Sequence, residues 1–261
     1  MAERRLFDLL QPTARKNLED LAANPYPGRG IVLGMLADGR PVQLYWLMGR
    51  SDNSRNRVLE AQPRGVLRTR AADPAKLTDP SLVIYTAMRE LPGRYLVTNG
   101  DHTDSLHDGI SHGLGFAEAL AGRVHEPDGP NWTPRIAGEI QIAPGLEGNR
   151  VKKAIGRLMV IKADPFDSSR SMRGFFQVDQ LVPGFGWMVT TYQGDGNPLP
   201  SFEGGPKLVA LDGGPEDILA GFWQRLNAEN RIALALKIIE ADGGANIRLK
   251  NRFTLQEGSQ P

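Results

Sequence analysis

Glycine and proline cut this chain into short pieces. Its 261 residues include 30 Gly and 19 Pro. That is above ordinary usage and follows no Gly-X-Y period, so these residues mark tight turns rather than collagen or disorder. Between the turns lie short apolar runs. Ile31 to Leu36 and Val42 to Met48 flank Asp38-Gly39, a strong hairpin signal. Further strands are expected at 64–70, 81–88, 94–98, 135–142, 154–163, 173–180, 186–193 and 207–211. So many strands without a steady βαβ alternation point to an α+β fold with mostly antiparallel sheet in two layers.

Helices are fewer. Over residues 3–22, Leu6, Leu9 and Leu10 share a face, Pro12 interrupts, and Thr13 can cap a second helix through Leu18 and Leu21. Asn24-Pro25-Tyr26-Pro27-Gly28 closes this arm. Other helices are expected at 107–121, 215–227 and 229–241. Gly214-Pro215-Glu216-Asp217 places Pro near the first helical position and acids in the first turn. Ile232, Leu236 and Ile239 make an apolar helical face that stops before Gly243-Gly244. With no repeat or linker in view, the chain reads as a helical arm, 1–25, and one domain, 26–261.

Composition removes several functions. There is no Cys, which excludes disulfides, thiolate zinc, iron–sulfur clusters and a cysteine nucleophile, and fits a reducing cytoplasm. A net charge of +1 argues against a nucleic-acid partner. No apolar run approaches the ~18 residues of a membrane helix, and none of signal-peptide length follows Met1-Ala2-Glu3-Arg4-Arg5. The near-zero charge hides one asymmetry. From Arg29 to Arg94 stand ten Arg and one Lys against six acids, a local excess of five positive charges. Arginine offers a planar, permanently charged fork for phosphate and carboxylate. Solvated strand faces carrying surface charge are the plainer reading of the same run.

Familiar nucleotide motifs are missing. There is no G-x-x-x-x-G-K-[ST] and no G-x-S-x-G, and Gly113-Leu114-Gly115 is followed by Glu118 where a third glycine belongs. His102, His107, His112 and His125 fall close together with Asp101, Asp104 and Asp108. However, a spacing of five does not share a helical face and no H-E-x-x-H occurs. No metal or cofactor is therefore expected, and His102 alone is kept as a site residue. Three polar segments follow strands and look like site loops. They are Met48 to Arg57 with three Arg, Thr98 to Asp104, and Thr190 to Gly204, whose Pro and apolar residues argue that it packs.

Taken in order, Tyr26-Pro27-Gly28-Arg29, Tyr45 through Arg50-Ser51 to Asn56-Arg57, Tyr85-Thr86-Ala87-Met88-Arg89, Asn99-Gly100-Asp101-His102-Thr103-Asp104, Glu126-Pro127-Asp128 with Thr133-Pro134-Arg135-Ile136, and Thr191-Tyr192 through Pro198 to Gly204 form a pattern. With them the chain resembles the archaeal-type IMP cyclohydrolase family over roughly residues 26 to 210. The resemblance implies a four-layer α-β-β-α sandwich like that of the N-terminal-nucleophile hydrolases, without their chemistry, because Met1 leads a charged arm. It implies ring closure of formyl-aminoimidazole-carboxamide ribonucleotide to IMP, in the cytoplasm, without a cofactor, by a self-associating protein. It makes Glu126 the general base, or the residue that orients one, and sets Tyr85 and Asn99 against the reacting amide or formyl group. Arg29, Arg50 and Arg57 then bind phosphate or the oxyanion. Arg89 and Arg135 add anion contacts, Tyr192 lines the substrate, and His102 shuttles a proton. Two features depart from the family pattern: the arm before Tyr26, and Trp46, where the family has Arg. That exchange removes a charge and adds stacking surface beside the substrate. It leaves two alternatives open, a non-catalytic purine-nucleotide-binding protein and an amide hydrolase acting on a related ribonucleotide.

Overall fold

The computed structural model describes residues 2–142, 146–147, 150–151 and 153–254. Met1 and the end of the expected domain, 255–261, lie outside these residues. The chain opens with α1 (Ala2–Ala23), then β1 (Gly30–Met35), β2 (Pro41–Met48), α2 (Asp52–Arg55), β3 (Arg57–Gln62), β4 (Val66–Ala71), β5 (Thr86–Leu91) and β6 (Arg94–Thr98). After α3 (His102–Ser111) and α4 (Phe116–Ala119) come β7 (Arg135–Ile142), the small pair β8 (Leu146–Glu147) and β9 (Arg150–Val151), β10 (Ala154–Asp164), β11 (Asp167–Val178), β12 (Phe185–Thr190) and β13 (Lys207–Ala210). The last elements are α5 (Pro215–Arg225), β14 (Arg231–Ile239) and β15 (Ala245–Asn251).

The fold is α+β, built on two antiparallel sheets. One sheet runs β13-β12-β1-β2-β14-β15 and the other β11-β10-β7-β6-β5-β4-β3. Alternation along each strand sorts its side chains to two faces. Ile31, Leu33, Tyr45, Leu47, Tyr95, Val97, Leu158 and Val160 join one core between the sheets. Val32, Leu44, Trp46 and Leu236 turn the other way, into a core shared with Ala14, Leu18 and Leu21 of α1 and Ile218, Leu219 and Phe222 of α5. Leu96, Met159 and Ile161 pack with Leu106 and Ile110 of α3 and Phe116 of α4.

Several expectations need correction. The run 229–241 is not a helix but strand β14, paired with β2 and β15. Every residue from Ile232 to Ile239 is buried, Lys237 included, so the two faces do not differ in burial and the helix-like spacing of the apolar residues is incidental. Gly243-Gly244 turns a hairpin instead of ending a helix, with Glu240 N donating to Gly244 O at 2.8 Å. The arm is one helix that runs through Pro12. Its buried stripe, Ala14, Leu18 and Leu21, holds it in place, and Pro12 lies exposed where a lost backbone bond is tolerated. The expected helix at 107–121 splits into α3 and α4 at Gly113, whose φ of +91° breaks the α-helix. Strand β3 went unread in the sequence.

Candidate active site

One end of the space between the sheets is polar. Arg29 precedes β1 in register with its inward residues Ile31 and Leu33, Tyr45 sits on β2, and Arg57 shares the inward face of β3 with Leu59. Gly28 lets the chain enter here. It has a φ of +70°, and an added Cβ would stand 2.1 Å from Thr191 Oγ1 and 2.5 Å from the Tyr192 ring.

Glu126 lies at the centre and is almost wholly buried. Arg29 Nη2 donates to both of its carboxylate oxygens, each at 2.6 Å. Burial pushes the Glu126 carboxyl above its usual range, against the pull of Arg29 and Arg135. Burial disfavours the Arg29 charge, but Glu126, with Tyr85, Tyr192 and Tyr45 nearby, raises its affinity for the proton well above the usual value. The pair is thus a desolvated carboxylate held by a permanent cation. Among the described residues Arg29 Nε has no hydrogen-bond partner.

Arg135 approaches from β7. Its Nη1 donates to Asp101 Oδ1 at 2.6 Å and to His102 Nδ1 at 3.2 Å, and its Nε to Val124 O at 2.9 Å. The neighbouring Glu139 is paired instead with Arg94 and Arg157, so Arg135 is committed to the site. Because a guanidinium only donates, His102 Nδ1 must accept. Nε2 then carries the proton and donates to Ile136 O at 3.1 Å. Burial, aided by the Arg135 charge, lowers the His102 pKa to about 3. This arrangement speaks against a proton-shuttle role for His102. Both ring nitrogens are occupied and the imidazole stays neutral, so His102 orients Arg135.

Arg57 is the least compensated cation in the cluster. It is 1% exposed and, among the described residues, donates only to carbonyls, Nε to Ser54 O at 2.7 Å and Nη2 to Met48 O at 3.2 Å. Its Nη1 has no partner among the described residues. Arg50 is half-exposed, paired with Asp195, and lies 5.0 Å over the Tyr26 ring. Tyr26 in turn stacks on Tyr192 at 5.9 Å. The Tyr192 hydroxyl bonds Thr133 Oγ1, and burial raises its pKa. Leu199 and Phe202 bury the loop that follows, which packs as expected. Tyr85 is buried and its hydroxyl lies 2.6 Å from that of Tyr45.

Three expected site residues stand elsewhere or do something else. Trp46 is fully buried on the opposite face of its strand from Tyr45, 6.2 Å from Phe222. Its ring fills the space over Gly30, where a Cβ would meet it at 1.9 Å. It is core and offers no stacking surface to a substrate. Arg89 points to the other helix-covered face and pairs with Asp104 of α3 at 2.9 Å. Asn99 spends both ends of its amide on backbone, Nδ2 to Pro134 O at 2.9 Å and Oδ1 from Ile136 N at 2.8 Å. It clamps the strand that carries Arg135, and the second N–H of its Nδ2 remains for a further acceptor. Tyr45 and Asp101 were missed as site residues. Both lie inside the quoted motifs, but only the three-dimensional pairing singles them out. Among the described residues no group of three or more His, Asp or Glu is placed to hold a metal ion. No helix there is long and apolar enough to cross a membrane.

Residues 26–243 match the family described as IMP cyclohydrolase-like protein. The chain belongs to this family. The IMP cyclohydrolase of Methanopyrus kandleri is 33% identical over 116 residues, 43% of this chain and 57% of that protein. That of Methanothrix thermoacetophila is 29% identical over 185 residues, 69% of this chain and 80% of that protein. A Methanococcus maripaludis IMP cyclohydrolase is 31% identical over 116 residues, 56% of its length. Against the Methanopyrus and Methanococcus relatives, the chain thus spans a little over half of their length. The family match encloses every residue of the polar cluster, from Tyr26 to Tyr192.

Proposed function

We propose that this protein closes formyl-aminoimidazole-carboxamide ribonucleotide to IMP, releasing water, in the last step of purine synthesis. The carrying observation is a buried carboxylate, Glu126, bound by Arg29 with the Arg135 charge nearby, and a third guanidinium, Arg57, near Tyr26 and Tyr45, whose Nη1 has no hydrogen-bond partner among the described residues. In the reaction the carboxamide nitrogen attacks the formyl carbon and a C–N bond forms. The nitrogen loses a proton, the formyl oxygen gains charge and then protons, and it leaves as water. Such a reaction needs the two groups folded together, a base and a donor for the oxyanion. A carboxyl with a raised pKa suits the base, and Glu126 takes the amide proton. Arg57 and Arg50 take the phosphate. Tyr85 faces the formyl oxygen, Arg29 holds Glu126 in place with the Arg135 charge nearby, and Tyr26 with Tyr192 walls the site. No cofactor enters this scheme.

The same reading gives the fold as a four-layer α-β-β-α sandwich of the N-terminal-nucleophile hydrolase kind, supported by the helices packed on the outer face of each sheet. It takes 26–261 as the domain that carries the chemistry and 1–25 as an arm buttressing one sheet, in a cytoplasmic, self-associating enzyme. Trp46, the residue that pointed to binding without turnover, is buried away from the cluster, so no observation favours that alternative. The test is to incubate purified protein with the formylated ribonucleotide and follow IMP by chromatography. Folded protein that yields no IMP overturns the assignment, and binding by calorimetry without turnover selects a nucleotide-binding role. Release of free formate selects amide hydrolysis.

A further inference from the structure

Tyr45 carries no role in the scheme above, yet it sits at the centre of the cluster. It is fully buried, and among the described residues its hydroxyl has one partner, Tyr85 Oη at 2.6 Å. Two hydroxyls share one hydrogen bond, so one proton is used between them and the other must find a different acceptor. If Tyr85 donated, the Tyr45 proton would be stranded in a fully buried position, at the cost of an unsatisfied donor. If Tyr45 donates, the free proton belongs to Tyr85, the less buried of the two. Burial holds the Tyr45 phenol well above its usual pKa, so it keeps its proton at any working pH.

We propose that Tyr45 is a positioning residue that donates its hydroxyl proton to Tyr85 and thereby points the Tyr85 O–H at the developing formyl oxyanion. The inference rests on the ring-closure reading for the identity of the acceptor, but the direction of the Tyr45–Tyr85 bond does not depend on it. In the reaction no bond to either tyrosine forms or breaks. Tyr85 lends a hydrogen bond as charge grows on the formyl oxygen, and Tyr45 fixes which way that hydrogen bond runs. Removing the Tyr45 hydroxyl lets the Tyr85 proton turn freely, so the loss falls on the transition state rather than on substrate binding.

The experiment compares Tyr45→Phe, Tyr85→Phe and the double variant, each checked for an unchanged circular dichroism spectrum and melting curve. Tyr85→Phe removes the oxyanion donor and lowers kcat by roughly a hundredfold. Tyr45→Phe lowers kcat by about tenfold, with KM within about twofold of wild type. The double variant is no slower than Tyr85→Phe, because the two hydroxyls act as one unit. A Tyr45→Phe rate equal to wild type, or a double variant with the full product of the single losses, overturns the proposal. A readout independent of turnover is the hydroxyl proton resonance of Tyr45 in tyrosine-labelled protein. It should exchange slowly in wild type and shift in Tyr85→Phe, while a fast-exchanging Tyr45 proton refutes the assigned direction. If wild type itself makes no IMP, the ring-closure reading fails and this resonance still decides the bond.

Discussion

Arg29 holds Glu126 through a single nitrogen, with Nη2 equidistant at 2.6 Å from both carboxylate oxygens. Its Nε has no partner among the described residues. The bond therefore fixes the carboxylate while leaving the guanidinium a donor to spare. Glu126→Gln keeps the shape and loses the base. Turnover to IMP should fall about 10²- to 10⁴-fold, while nucleotide affinity measured by calorimetry changes far less. Full activity in that variant would remove Glu126 from the role of base. Arg29→Met is different in kind, because it strands a buried carboxylate. It should destabilise the fold by about 3–5 kcal/mol, read from urea melts.

Trp46 tests whether the arginine expected at this position from the resemblance can be accommodated. The ring is fully buried beside Phe222 and over Gly30. Trp46→Arg buries a charge where, among the described residues, even the indole Nε1 finds no hydrogen-bond partner, and should cost at least about 3 kcal/mol. The expected outcome is a sharply lower melting temperature and no gain in activity. A variant as stable as wild type would mean that the strand can present this position to the site. Gly30→Ala should destabilise for the mirror reason, since its Cβ would overlap the ring.

His102 makes acid sensitivity a site property. Its pKa is about 3 in the fold against an ordinary 6.5. Between those values the unfolded chain binds a proton and the folded protein does not. Its contribution to stability is therefore complete above pH 6.5 and lost as pH falls towards 3, up to about 5 kcal/mol in all. In His102→Asn that slope should be missing from melts taken across the window. The rate profile between pH 5 and 8 should show no limb from His102. A limb there that vanishes in His102→Asn would restore the proton-shuttle role.

Much of this architecture was legible before the fold. The Asp38-Gly39 hairpin, the strands at 94–98 and 135–142, and the helix after Pro215 are local patterns that depend on neighbours in sequence. What failed depended on neighbours in space. Ile232 to Ile239 is buried on both faces, so alternation, the one sign that would have declared a strand, is erased. Period two says that Tyr45 and Trp46 face opposite ways, but only the second sheet decides which of them looks into the site. The motif loops were found because they concentrate arginine and turn residues. Residues such as Asn99, whose amide clamps backbone on both sides, look the same in sequence as residues that touch a substrate.

Lys237 marks the opposite end of the inter-sheet core. It is fully buried on β14, opposite Gln43 in the strand register, and donates to Gly65 O at 2.5 Å, with Glu90 Oε2 at 3.5 Å. Burial lowers its pKa to about 8 from 10.5, against the opposing pull of Glu90. Between pH 8 and 10.5 the unfolded chain holds a proton that the folded protein has released, so here stability rises with pH, by up to about 3 kcal/mol. Below pH 8 the folded protein carries a buried ammonium and the gain is absent. Other lysines and the tyrosines also titrate near the top of this range, so wild type alone would not isolate the effect. The measurement is therefore the difference in urea-melt stability between wild type and Lys237→Met at several pH values. That difference should move in favour of wild type as pH climbs through the window. A difference that stays flat would mean Lys237 keeps its proton in the fold, with Glu90 and the Gly65 carbonyl compensating the charge in full.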